Sequence, residues 1–90
     1  MEKRAVTMRI YGRVQGVGFR YYAQKEAVAR QISGWIRNMP DGSVYIEAEG
    51  DKEQLEQFIN WCETGPQWAR VTDVEKQYVP LKGYSGFEIR

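Results

Sequence analysis

Histidine is missing from this 90-residue chain, and cysteine occurs once, at Cys62. Without histidine there is no Ser-His or Cys-His nucleophile pair, no imidazole acid–base catalyst and no His-based zinc site. A lone cysteine excludes an intramolecular disulfide and a Cys-rich metal site. Long hydrophobic runs are lacking too: no stretch approaches the ~18 apolar residues of a membrane span, and the N-terminus has no apolar signal core. Nor is there an excess of one charge, since 13 basic residues face 12 acidic ones for a net +1. A dedicated nucleic-acid binder or a polybasic membrane anchor would be far more basic. The expectation is a cytoplasmic protein without a nucleic-acid or membrane partner.

What is present suits a compact domain. Hydrophobic residues make up 42% and charged residues 28%, ordinary proportions for a globular chain. A chain of this length buries roughly 60–65% of its unfolded surface, enough for a core without staples. Residues 1–90 are expected to form one domain, a monomer by default, with no linker, repeat or low-complexity segment.

The densest local signal is Gly12-Arg13-Val14-Gln15-Gly16-Val17-Gly18-Phe19-Arg20. A strand pattern leads in, with Val6, Met8 and Ile10 on one side and Thr7, Arg9 and Tyr11 on the other. A helix pattern leads out from Phe19 to Gln31, where Phe19, Tyr22, Ala23 and Ala27 can share a face. Glycines permit close backbone approach, and a Gly-rich turn at a helix N-terminus points N–H groups at one spot. Arg20 adds a planar charged fork for the same oxygens. These residues point to a phosphoryl group. Taken singly, the loop reads equally as a tight connection, Arg20 as a solvated helix residue and Asn38 as a turn residue.

Gly34 marks the exit from the helix, and Trp35–Asn38 reads as a short strand. Pro40-Asp41-Gly42 is a turn signal. Ser43–Glu49 alternates, with Val44, Ile46 and Ala48 inward and Tyr45, Glu47 and Glu49 outward, so residues 35–49 form a hairpin. A second helix opens at Asp51, with Gln54 completing a variant capping box. It buries Leu55, Phe58, Ile59 and Cys62 and stops at Gly65-Pro66. Cys62 on that stripe is a small core residue, whereas Glu53, Glu56 and Glu63 form a solvated face. Arg70–Val79 is a strand with a bulge near Asp73. Gly86–Arg90 is a short final strand with Phe87 and Ile89 inward.

The order β-α-β-β-α-β plus a short strand fits an α+β, ferredoxin-like split β-α-β sandwich: an antiparallel sheet with two helices on one face. A right-handed crossover leaves its two strands parallel, so Asn38 should lie at the same sheet edge as the Gly-rich loop.

Gly12-x-Val14-Gln15-Gly16-Val17-x-Phe19-Arg20, then Gly34-Trp35-Ile36-Arg37-Asn38 and Asp41-Gly42-Ser43-Val44, resembles the acylphosphatase family. The match runs from the first strand onward. The resemblance implies hydrolysis of the carboxyl–phosphate bond of a small acyl phosphate, with no metal and no organic cofactor. It implies that Arg20 binds and polarises the phosphate and that Asn38 orients the attacking water. Backbone N–H groups of Gln15, Gly16, Val17, Gly18 and Phe19 would line the phosphate cradle. Inorganic phosphate, the product, should then be a competitive inhibitor. Two other readings stay open. One is a non-catalytic anion- or ligand-binding regulatory domain of the same topology. The other is an RNA-binding sheet using Trp35, Tyr11 and Tyr45, although Glu47 and Glu49 on that face would repel a nucleic-acid backbone.

Overall fold

The computed structural model describes residues 2–90. Its elements are β1 (Lys3–Arg13), α1 (Phe19–Ala29), β2 (Ser33–Asn38), β3 (Val44–Asp51), α2 (Lys52–Thr64), β4 (Arg70–Val79) and β5 (Phe87–Ile89). The strands form one sheet in the order β4-β1-β3-β2-β5. This is the expected ferredoxin-like sandwich with one difference. β5 pairs parallel with β2, through Gly34↔Phe87 and Ile36↔Ile89, so the sheet is mixed rather than wholly antiparallel.

Alternation decides the faces. Val6, Met8 and Ile10 of β1 are wholly buried opposite Ala48, Ile46 and Val44 of β3. The helices cover that face with Phe19, Ala23 and Ala27 of α1 and with Leu55, Phe58, Ile59 and Cys62 of α2. All of these join one core cluster. Tyr22 does not share the stripe as expected and is 44% exposed. It sits a full 100° round the helix from Ala23, which takes it past the stripe's edge.

β4 carries the expected bulge where it pairs with β1. Tyr11 pairs with Asp73 and Gly12 with Val71, leaving Thr72 as the extra residue. Gly12 belongs to the strand, at φ +121, where a Cβ would lie 2.2 Å from the Arg70 carbonyl oxygen.

Both helix ends depart from the sequence reading. α1 stops at Ala29, two residues early. The Gln31 N–H donates to the Val28 carbonyl at 3.1 Å and the Ile32 N–H to the Ala27 carbonyl at 2.8 Å. That is a Schellman closure, with Gln31 in the left-handed position at φ 58. Gly34 is instead a strand residue, where a Cβ would lie 1.9 Å from the Glu47 carbonyl oxygen. Asp51 makes no side-chain cap for α2, and the Gln54 side chain accepts from Arg30 Nη1 at 3.4 Å rather than closing a box. The Lys52 N–H is satisfied by the Glu2 carbonyl at 2.9 Å.

Glu49 overturns its expected solvated role and is only 8% exposed. The chain must cross from β4 at one edge of the sheet to β5 at the other, and Glu49 fastens that crossing. Its carboxylate accepts the N–H groups of Lys82, Gly83 and Tyr84 at 2.8, 2.9 and 3.1 Å. Neighbouring Glu47 accepts from the Tyr84 hydroxyl, from the Tyr45 hydroxyl at 3.1 Å and from Lys82 Nζ at 3.4 Å. Burial opposes its ionisation, but these donors hold the carboxyl below its ordinary value. Trp35 and Tyr45 meet on the same face with ring centroids 5.4 Å apart, a cross-strand contact that stiffens the sheet. Glu63, expected to be simply solvated, pairs with Lys76 at 3.5 Å.

Candidate active site

β1 and β2 both pair antiparallel with β3, so they run the same way and end at one edge of the sheet. The 14–18 loop follows the first and Asn38 closes the second, as the crossover argument requires. Val14 and Phe19 are 1% and 2% exposed and pin the two ends of the loop into the core. Between them Gly16 and Gly18 take positive φ of 74 and 80, conformations that glycine adopts without strain. Gly18 is the N-cap of α1. No side chain caps that end and no acidic residue lies in its first turn. The positive end of the helix dipole is therefore unneutralised.

The Gln15 side chain reaches away from the loop. Its Nε2 donates to the Met39 carbonyl at 2.8 Å and to the Ser43 carbonyl at 2.9 Å. This joins the Gly-rich loop to the turn that follows Asn38. The turn has its own clamp. Asp41 Oδ1 accepts from the Ser43 hydroxyl at 2.6 Å and from the Ser43 N–H at 2.9 Å. Arg9 Nε donates to Ser43 Oγ at 2.9 Å, and Arg9 Nη2 to Asp41 Oδ2 at 3.2 Å. The Ser43 hydroxyl, then its N–H, then the Arg9 charge hold the Asp41 carboxyl below its ordinary value.

Gly16, Gly18, Arg20, Tyr21, Asn38 and Ile89 line one cavity of about 250 Å³, with Val14 and Phe19 beneath. Of the residues singled out in the sequence, Gly16, Gly18, Phe19, Arg20 and Asn38 therefore meet at one place. The side chains of Gln15 and Val17 point elsewhere, the first toward the 39–43 turn and the second against the core. Among the described residues, neither the Arg20 guanidinium nor the Asn38 amide has a hydrogen-bond or ion-pair partner, so both donor sets remain available to a ligand. A larger cavity of about 560 Å³ lies at the other end of the sheet, between Lys3, Arg30, Glu49, Gln54 and Tyr84. It contains none of the site residues singled out, and its buried carboxylate is engaged by the 82–84 backbone.

Sequence reasoning missed four contributors. The Gln15 side chain and the Arg9–Asp41–Ser43 clamp are visible only once β1 and the turn stand side by side. Tyr21 was passed over as a helix residue. Ile89 was expected inward with Phe87 but is 41% exposed, whereas Phe87 is 7% exposed and meets Phe58 edge to face with ring centroids 5.8 Å apart. β5 runs on past the cover of the helices, so its last apolar residue emerges at the site.

The acylphosphatase family model matches residues 6–89. The chain is 46% identical over 89 residues to an acylphosphatase of Thermococcus kodakarensis, covering 99% of this chain and 98% of the relative. It is 48% identical over 80 residues to one of Thermus thermophilus, covering 89% and 91%. The crystal structure of an acylphosphatase from Bacillus subtilis superposes with a TM-score of 0.93 at 39% identity, over 97% of this chain and 98% of that one. The relatives span nearly the same length and share both the sequence and the fold that carry the cavity: this chain is an enzyme of the acylphosphatase family.

Proposed function

We propose that the chain hydrolyses acyl phosphates to a carboxylate and inorganic phosphate at the cavity between the 14–18 loop and Asn38. The phosphoryl oxygens sit against the backbone N–H groups of residues 15–19 and the Arg20 guanidinium, and Asn38 orients the water that attacks in line. The observation that carries this reading is the pairing of Arg20 and Asn38, both without partners, around an uncapped helix N-terminus.

The reaction suits a site without histidine. The leaving group is a carboxylate whose acid has a pKa of about 4, so it departs near pH 7 without a general acid. The phosphoryl transition state is loose, so the water need not lose its proton early. What remains is to hold the phosphate, match charge as it shifts over the oxygens and place one water. Backbone donors, one arginine and one amide meet those needs. The substrate is a small-molecule acyl phosphate. The product, inorganic phosphate, occupies the same cradle and inhibits competitively at millimolar concentration. The same reading makes the protein a monomer of the cytoplasm. The purely ligand-binding alternative is not favoured, because the relatives on both the sequence and the structure side are named as enzymes.

The test is hydrolysis of benzoyl phosphate with a chelator present. Wild type should turn over, and Arg20→Ala and Asn38→Ala should each lose roughly 10²–10³ in rate while staying folded, the usual cost of one positioned donor. Arg20→Lys should not restore the rate, because an ammonium cannot reproduce the guanidinium fork. Equal rates for wild type and Arg20→Lys would remove the assigned role of Arg20.

A further inference from the structure

We infer that Tyr21 and Ile89 form the acyl subsite, and that the enzyme prefers acyl phosphates with an apolar, above all aromatic, acyl group over small hydrophilic ones. The inference rests on the functional reading above. The cavity is polar where Gly16, Gly18, Arg20 and Asn38 line it. Of its apolar lining residues, Val14 and Phe19 are 1% and 2% exposed and serve as floor, whereas Tyr21 and Ile89 are 56% and 41% exposed. Their apolar surface stays in water until something covers it. Large apolar groups exposed together beside a cleft with convergent polar donors mark a ligand surface.

Both residues are held in position before any ligand arrives. The Tyr21 ring meets Tyr22 edge to face at 5.1 Å, and Lys25 Nζ lies 5.6 Å from its centroid. Ile89 is held by the parallel pairing Ile36↔Ile89. The Arg90 N–H donates to the Ile36 carbonyl at 2.8 Å, and Gln24 Nε2 of α1 donates to the Phe87 carbonyl at 2.9 Å. A rigid wall gains affinity because little has to be ordered on binding.

The chemistry sets which end of the substrate meets this wall. The phosphoryl oxygens are taken by the loop and Arg20, and in-line attack puts the leaving carboxylate opposite the water. The acyl body must then extend from the polar end of the cavity across its apolar lining. An aromatic ring there covers Tyr21 and Ile89. Among the lining residues Arg20 is the one cation, and the phosphate occupies it.

The experiment compares kcat and KM for benzoyl phosphate and acetyl phosphate in wild type, Tyr21→Ser, Ile89→Ser and Ile89→Leu. Each methylene removed from water is worth roughly a fourfold change in affinity. Either serine variant should therefore raise KM for benzoyl phosphate relative to acetyl phosphate by roughly 4- to 10-fold, with the kcat ratio little moved, and Ile89→Leu should restore the wild-type ratio. Both side chains are largely exposed, so the folded state should survive, which thermal unfolding verifies. A KM ratio that stays at the wild-type value in both serine variants overturns the inference. So does a wild type that favours acetyl phosphate. Failure of folded wild type to turn over either compound rejects the catalytic reading itself, and the subsite with it.

Discussion

Gln15 contributes more through its side chain than its place in a Gly-rich loop suggests. Its amide couples the Gly-rich loop to the 39–43 turn, yet the two carbonyls it reaches are not otherwise orphaned. Met39 O also accepts the Gly42 N–H at 3.1 Å, and Ser43 O the Met39 N–H at 2.8 Å. Gln15→Ala should therefore cost only about 1 kcal/mol of stability. It should lower kcat/KM by about 10- to 100-fold, because small misplacements of a positioned group are costly to rate. Urea unfolding and steady-state kinetics on the same preparation separate the two effects. Gly34 is the opposite case. A methyl there runs into backbone that cannot give way, so Gly34→Ala should lose at least about 3 kcal/mol, read as a lower urea midpoint. At this scale the sequence was most legible where a residue type has one use. Arg20, Asn38 and the loop glycines were all singled out, and Arg20, Asn38, Gly16 and Gly18 meet at the cavity. The side-chain tasks of Gln15 and Glu49 were not legible because amides and carboxylates have many ordinary uses, and only their partners reveal which one applies.

Among elements, the strands were easier to read than the helix ends. The alternation in β1 and β3 follows from one buried face, and the sequence displays it directly, whereas β4 at the sheet edge has no buried residue and alternates poorly. The end of α1 was hidden because glutamine occupies the left-handed position where glycine usually signals a stop. That substitution carries strain. Gln31→Gly should raise stability by about 0.5–1 kcal/mol, the relief at φ 58 less the added freedom of the unfolded chain. The melting temperature should rise by about 2–8 °C. The parallel pairing of β5 was hidden for another reason. A three-residue strand carries no orientation signal, and its direction is dictated by a loop that crosses the sheet on Glu49. Glu49→Ala should strip the partner from the Lys82, Gly83 and Tyr84 N–H groups and cost about 2–3 kcal/mol. Amide exchange should then quicken first in the 82–89 segment.

For the whole molecule, ionisation limits the folded state from both sides of neutrality. The Asp41 and Glu47 carboxyls titrate lower in the folded chain than in the unfolded one. Their contribution is present above the unfolded value of about 4 and disappears as pH falls through the folded values. Cys62 behaves oppositely. Burial, with Glu26 and Glu63 adding to it, pushes its thiol well above the ordinary value. Its contribution is complete below the unfolded pKa of about 8.5 and is lost as pH rises toward the folded value. The urea midpoint should fall between pH 8.5 and 10, before the tyrosines titrate, and Cys62→Ala should flatten that limb.

The register of β1 has a consequence in time as well as in space. Ile10 of the first strand sits between Val44 and Val74, so every rung of the central strand waits for chain far downstream. Such wiring requires distant segments to find one another before any ladder repays the search, which puts refolding in the range of milliseconds to seconds rather than microseconds. On the ribosome the Gly-rich 14–18 loop would be made early and shaped late. Catalytic competence should then arrive in one step, when β4 docks against a strand synthesised long before it.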